Sequence, residues 1–313
     1  IQTKVPPSKD PKKFEAELEI SFEKLQLKKI DLLAIHGINL PEHLEQTIRK
    51  GGCLDVVRRW QRDGKIAHVG FSTHGPTPLI IKAIETGEFD YVNLHWYFIR
   101  QENSIALDAA RKFDLGVFII SPTDKGGHLH TPSEKLLKLC EPIHPIVFND
   151  LFCLEDERIH TISIGLSKVE DFKFHLEAIQ LLETSDQLLL SIQKRLIEAA
   201  HLSLGGSWMK TWDKGLPSWE KTPGQINLPI LLWLHNLVEA WEMNDYAAAR
   251  YGLLGSGGHW FPGANADCLD QEVSEDLLKD ALINSPWQRD IPQILRNLRK
   301  KLGGESLNRL SQT

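Results

Sequence analysis

SFEKLQLKKIDLLAIHG, residues 21–37, decides how this chain is read. Phe22 and Leu25 extend a helix-period apolar face that already includes Phe14 and Leu18, and Asp10 followed by Pro11 gives that helix an N-cap and a first helical residue. After a polar turn, IDLLAIH is an apolar run of strand length that ends on a histidine. Helix, turn and strand with a polar residue at the C-terminal end is one passage of a βα repeat.

Working outward, the same pattern recurs. Strands are expected at Ile1–Val5, Ile30–His36, Ile66–Ser72, Tyr91–His95, Gly116–Ser121 and Thr161–Gly165. A second amphipathic helix runs from about Leu54 through Val57 and Trp60 and stops at Gly64. The strand starts recur about every thirty residues, close to one unit of a (β/α)8 TIM barrel of roughly 250 residues. Six strands are two short of eight. The first begins at residue 1, and the chain opens on Ile1 rather than Met, so the expectation is an α/β barrel lacking its first two βα units. An open α/β sheet, which needs no closure, is the competing reading.

After about residue 180, helix-period patterns replace β-branched runs. Helices are expected at Gln187–Leu202, Ile230–Met243, Asp245–Leu254, Glu275–Ile283 and Ile291–Leu302, the last stopped by Gly303. Seven of the nine tryptophans fall in this half, which argues for an aromatic-packed helical unit. The expected organisation is therefore a partial barrel at 1–180 and an all-helical C-terminal domain at 181–313.

Composition narrows the function classes. A net charge of −6 argues against a surface built to neutralise nucleic-acid phosphates, and the longest apolar stretch, Leu228–Val238, is too short to span a membrane. The N-terminus, IQTKVPPSKD, has no signal core. Cys53, Cys140, Cys153 and Cys268 are scattered without metal or redox spacing, so reduced thiols and a cytoplasmic location are expected.

Parallel barrels carry chemistry at the C-terminal ends of their strands. That filter selects Lys4, His36, Ser72, Thr73, Asn93, Ser121, Gly165, Ser167 and Lys168, with His74, His95, Tyr97 and Asp124 nearby as pocket-lining positions. Two other features read as structure: His128 and His130 lack a third metal ligand, and GLLGSGGHW (252–260) lacks the Gly-Lys-Ser/Thr ending of a phosphate loop. No metal site is expected.

Five segments in order resemble one family. SFEKLQLKKIDLLAIHG (21–37), RDGKIAHVGFST (62–73), FDYVNLHWY (89–97), GVFIISPTDKGG (116–127) and ISIGLSKVEDF (162–172) are similar to successive strand regions of the aldo/keto reductases. The resemblance implies hydride transfer from NADPH to an aldehyde or ketone, with a small-molecule carbonyl substrate. It places Lys4 at the family's catalytic lysine and His36 at the histidine that orients the carbonyl. The family's proton donor is a tyrosine whose acidity the lysine raises by favouring the phenolate. That tyrosine, and the aspartate paired with the lysine, precede the lysine in the family and fall outside this chain, so no useful turnover is expected from residues 1–313.

For the cofactor, the resemblance puts Ser72 and Asn93 at the nicotinamide carboxamide, with Thr73 where asparagine is usual and Asn93 where glutamine is usual. Ile120 stands where a tyrosine often stacks on the ring. Ser121 and Lys125 meet the pyrophosphate, and Gly165, Ser167 and Lys168 the adenosine phosphate. INLPILLWLHN (226–236) and NSPWQRDIPQILRNL (284–298) resemble a ferredoxin-like helical domain of one family branch, yet Ser285 precedes Pro286 where that domain has Cys-Pro. No iron–sulfur cluster is expected, since ligation needs four thiolates. The alternative to an enzyme is a non-catalytic, nucleotide-binding regulatory barrel.

Overall fold

The computed structural model describes residues 1–166 and 168–303. Its centre is a six-stranded parallel sheet with strands in sequence order: β1 (Gln2–Val5), β2 (Ile30–His36), β3 (Ile66–Ser72), β4 (Tyr91–Leu94), β5 (Gly116–Ile120) and β6 (Thr161–Ser163). Each parallel pairing needs a crossover, and helices supply them. These are α1 (Pro11–Leu25), α2 (Pro41–Ile48), α3 (Cys53–Arg62), α4 (Thr77–Glu85), α5 (Ser104–Lys112), α6 (Pro122–Lys125), α7 (Glu134–Cys140) and α8 (Pro145–Leu154). After β6 come α9 (Phe172–Leu181), α10 (Asp186–Leu204), α11 (Gly206–Thr211), α12 (Leu228–Trp241), α13 (Asn244–Tyr251), α14 (Glu275–Ala281) and α15 (Ile291–Leu302).

Local chemistry sets the ends of α1. The Asp10 carboxylate accepts from the Lys12 N–H at 3.0 Å, satisfying an N–H that the first helical turn leaves unpaired. Phe14, Leu18 and Phe22 are buried as the period requires. Leu25 is not, because Gln26 turns into the left-handed region and the stripe ends one turn early. In α3, Val57 and Trp60 are buried, and Gly64, at φ +71°, follows its end.

By contact pattern the chain divides into two compact units. One comprises residues 1–126 and 149–175, and the other 127–148 and 176–313. The division is discontinuous, since the segment carrying α7 groups with the helical half although it lies between β5 and β6 in sequence.

Within the first unit the core lies on one face of the sheet. Val5, Ile35, Phe71, Val92 and Val117 form a register row across five strands, and all are buried with Leu33, Val69, Leu94 and Ile119 in one cluster. Helix residues Phe14, Val57, Trp60, Ile80, Ala83, Leu107 and Ala110 complete it. Each fully buried aliphatic or aromatic side chain is worth about 1.5–3 kcal/mol relative to exposure.

Within the second unit, α12 packs against α10, α13 and α15. Asn227 caps α12 by accepting from the Ile230 N–H at 3.2 Å, and Ser274 caps α14 through Leu277 N–H at 3.3 Å. Trp208 and Trp287 meet edge to face at 5.1 Å, and the Trp241 indole donates to the Leu196 carbonyl at 3.0 Å. Residues 252–257 of the glycine-rich run form turns. No described helix is long and apolar enough to cross a membrane.

Candidate functional site

One residue beyond the core row, every side chain flips to the opposite face. There His36, Ser72 and Asn93 are register partners on β2, β3 and β4, and the row continues through Phe118 and Thr161. Two residues back along the strands, Lys4, Ala34, Gly70, Tyr91 and Gly116 form the next row on the same face. The sheet therefore presents Lys4, His36, Ser72 and Asn93 together on the face away from the helices.

The small members of the lower row are a steric requirement. A Cβ on Gly70 would lie 2.6 Å from the Tyr91 ring and 2.4 Å from its carbonyl oxygen, and one on Gly116 would lie 3.3 Å from Tyr91 Cβ. The Tyr91 ring thus floors the site. Its hydroxyl, beside Gln2, is buried without a hydrogen bond, and burial pushes its acidity well below that of an ordinary phenol. Neither role was visible in the sequence.

The upper row is held by loop hydrogen bonds. Ser72 Oγ accepts from the Gly37 N–H at 3.2 Å, while the Ser72 carbonyl accepts from Gly37 and Ile38 at 3.0 and 2.9 Å. Gly37 takes φ +83°, a conformation open to glycine and strained for other residues, and this turns the chain back immediately after His36. Thr73 donates its hydroxyl to the Ile38 carbonyl at 2.8 Å and accepts from the Gly75 N–H at 2.9 Å. Thr73 is almost fully buried, so its hydroxyl ties two strand-end loops together.

Asn93 is different. It is fully buried, and neither Oδ1 nor Nδ2 has a hydrogen-bond partner. An unpaired buried polar group costs about 1–3 kcal/mol. Here both halves of a carboxamide are held that way between Ser72 and Phe118.

The electrostatics are cationic. Burial lowers the Lys4 pKa, and burial followed by the charges of Lys4 and Lys125 lowers that of His36. His36 is therefore held neutral, with one ring N–H to donate and one nitrogen to accept. Lys125 ends α6, which begins after Ser121 in the left-handed region at φ +49°. The Ser121 N–H donates to the Ser163 carbonyl at 2.8 Å.

The outlying positions are less enclosed. A Cβ on Gly165 would meet nothing within 4 Å. Lys168 has an exposed side chain, and its N–H donates to Asp171 at 3.0 Å. Ser167 lies outside the described residues. The four cysteines are free thiols, Cys268 half-buried and the others buried, and among the described residues no group of three or more His, Cys, Asp or Glu is placed to hold a metal.

The pocket-lining positions are assembled more tightly than their sequence spacing suggested. His74 and His95, each two residues past Ser72 and Asn93, join Nδ1 to Nε2 at 2.6 Å, and His95 Nδ1 lies 2.7 Å from the Tyr97 hydroxyl.

Comparison with known proteins follows this geometry. No curated protein sequence matches. Among solved structures, the aldo-keto reductase AKR11C1 from Bacillus halodurans in its holo form superposes with a TM-score of 0.53 at 16% identity, covering 62% of this chain and 72% of that one. Its apo form gives 0.50 at 16% identity, covering 62% and 70%. Likeness at that identity speaks for the fold. The family model described as the aldo/keto reductase family matches residues 1–184, more than half of the chain. On that match, this chain belongs to the aldo/keto reductase family, oxidoreductases that act on small carbonyl compounds.

Proposed function

We propose that the chain binds a nicotinamide dinucleotide, NADPH in preference to NADH, on the His36–Ser72–Asn93 row and reduces an aldehyde or ketone there. The observation that carries this reading is Asn93, whose buried amide lacks any hydrogen-bond partner. A carboxamide is the ligand group that pairs with another carboxamide through one donor and one acceptor on each side. Ser72 stands beside it in register.

On this reading the bound dinucleotide supplies the hydride. The chain's own residues bind the dinucleotide and polarise the carbonyl. His36, kept neutral by burial and two nearby lysine charges, donates an N–H to the substrate carbonyl. Lys4 adds positive charge on the same face, favouring the alkoxide-like oxygen that develops during reduction. Ile120 offers an aliphatic surface at the end of β5, and Lys125 offset by the α6 turn compensates a pyrophosphate. Gly165 leaves open room for the adenosine phosphate, and the exposed Lys168 side chain supports the NADPH preference. Thr73 shapes the loops, which leaves Ser72 and Asn93 as the carboxamide partners.

We also read the sheet as part of an eight-stranded barrel followed by a helical domain. β1 and β6 each have a single strand neighbour among the described residues, and the inner face carries buried polar atoms on Gln2, Tyr91 and Asn93 that lack partners.

Titration of intrinsic tryptophan fluorescence with NADPH and with NADH tests the cofactor reading. Saturable quenching, tighter for NADPH, is expected, with the preference reduced in Lys168→Glu. Absence of saturation by either dinucleotide at millimolar concentration overturns it.

A further inference from the structure

The turn after β5 carries Lys125, and its placement matters twice over. Ser121 takes φ +49°, Pro122–Lys125 form α6, and the Lys125 N–H closes onto the Ser121 carbonyl at 2.9 Å. Burial first, then the charges of Lys4 and Lys125, lower the pKa of His36, so Lys125 stands within electrostatic reach of the polar row. A helical turn of four residues is far below the length at which a helix is stable by itself. Its position has to be imposed from outside.

That restraint is visible on α8. Asn149 is buried, and both halves of its amide are in use: Nδ2 donates to the Pro122 carbonyl at 3.0 Å, and Oδ1 accepts from the Phe98 N–H at 3.4 Å. A carbonyl only accepts and a backbone N–H only donates, so the amide has one orientation. Asn149 thereby joins the loop after β4 to the turn after β5, the two strands that carry Asn93 and Ile120. The Pro122 carbonyl also accepts from the Gly126 N–H at 3.0 Å. A Cβ on Gly126 would lie 2.1 Å from the Pro122 oxygen and 2.8 Å from Asn149 Nδ2, so only glycine there lets the amide reach the carbonyl.

Helix α8 holds this amide firmly. Asn149, Phe152 and Cys153 stand at i, i+3 and i+4 and share one helix face. Phe152 stacks on Trp96 with centroids 4.6 Å apart and planes within 15°, and it meets Phe98 edge to face at 5.5 Å. The fully buried Cys153 thiol donates to the Trp96 carbonyl at 3.5 Å. These contacts seat the helix on the loop after β4, so the amide is braced on one side and restrains the turn on the other.

We propose that Asn149 is a positioning residue for the dinucleotide, fixing the Ser121–Lys125 turn through Pro122 so that the Lys125 ammonium stands ready at the pyrophosphate. Its amide is engaged by backbone on both sides and acts through Lys125. An unrestrained turn would have to be ordered when the ligand arrives, which lowers affinity. With the Asn149 bonds in place, that ordering is complete before binding.

This inference rests on the dinucleotide reading, and a double-substitution cycle separates the two. NADPH affinity is measured by tryptophan quenching for the unsubstituted chain, Asn149→Ala, Lys125→Ala and the double variant, each checked for cooperative urea unfolding. Asn149→Ala is expected to weaken binding about tenfold, the scale of one buried hydrogen bond. Because Asn149 acts through Lys125, the double variant is expected to bind within about threefold of Lys125→Ala alone, whereas independent effects would multiply. In the 15N-labelled unsubstituted chain, the Asn149 side-chain amide signals are expected to shift on saturation with NADPH. If a substituted chain does not unfold cooperatively, those signals decide alone. Multiplying effects, an Asn149→Ala affinity within about twofold of the unsubstituted chain's, or unmoved Asn149 signals each overturns the positioning role. Failure of NADPH to bind the unsubstituted chain overturns the dinucleotide reading instead.

Discussion

The two faces of the six-stranded sheet are built from alternate residues of the same strands and meet opposite demands. Toward the helices, the row from Val5 to Val117 is apolar and closed. Toward the other side, Lys4, His36, Ser72 and Asn93 are charged or polar, and Asn93 keeps two buried atoms without partners. Stability is concentrated on the first face and chemistry on the second, with a one-residue step between them. Substitutions on the two faces should therefore move stability and ligand binding separately, and in one case in opposite directions.

The largest effect is expected on the closed face. Phe71 is fully buried, and Phe71→Ala removes a ring that packs on Phe89 with centroids 4.8 Å apart. A loss of about 3–5 kcal/mol is expected, read as a lower midpoint in urea unfolding. A smaller loss would mean that the faces are less unequal than their packing indicates.

Gly70 tests the floor beneath the site. Gly70→Ala places a methyl 2.6 Å from the Tyr91 ring and 2.4 Å from its carbonyl, and backbone cannot yield cheaply. An overpacking cost of about 1–3 kcal/mol is expected by the same measurement. Tyr91→Leu combined with Gly70→Ala should recover part of it, since the ring is one of the two groups that the methyl strikes.

Much of this arrangement was legible in the sequence. The strand regions at 30–36 and 66–72 appear with the expected bounds, and the others match within two residues, because apolar runs bounded by turns carry a strong signal. Strand-end polarity picked out Lys4, His36, Ser72 and Asn93 because period-2 alternation aligns them once the register is set. Other features depend on contacts distant in sequence. Nothing local marks residues 127–148 as grouping with the helical half, and nothing in Thr73 announces that its hydroxyl bonds a carbonyl 35 positions earlier. Tyr91 read as one more strand aromatic, although Gly70 and Gly116 at its register positions are a signal once strand pairing is known. The His74–His95 contact was available in principle, since each residue lies two beyond a register pair.

Asn93 separates stability from binding. Asn93→Leu replaces an unsatisfied buried amide with an apolar side chain of similar size, so the protein is expected to gain about 1 kcal/mol or more in urea unfolding. The same change should weaken NADPH binding about tenfold, which corresponds to about 1.4 kcal/mol, in the fluorescence titration. Loss of stability together with unchanged binding would show that the amide serves the fold rather than the ligand.

The smallest effect is on pH dependence, and its sign is fixed by the direction of the His36 shift. Burial and the Lys4 and Lys125 charges lower the folded pKa below that of the unfolded chain. Between those two values the unfolded state binds more protons, so stability rises with pH across that interval. Descending from neutral pH, the folded state begins to lose ground near the ordinary histidine value of about 6.5, and the loss levels off below the folded pKa. His235, also shifted down by burial, contributes in the same direction from the helical half. His36→Asn should therefore flatten part of the acid-side slope in urea midpoints measured from pH 7.5 to 5, and His36→Asn with His235→Asn more of it. A slope unchanged in His36→Asn would mean that the ring charges as readily folded as unfolded, and the neutral N–H assigned to the carbonyl contact would fail with it.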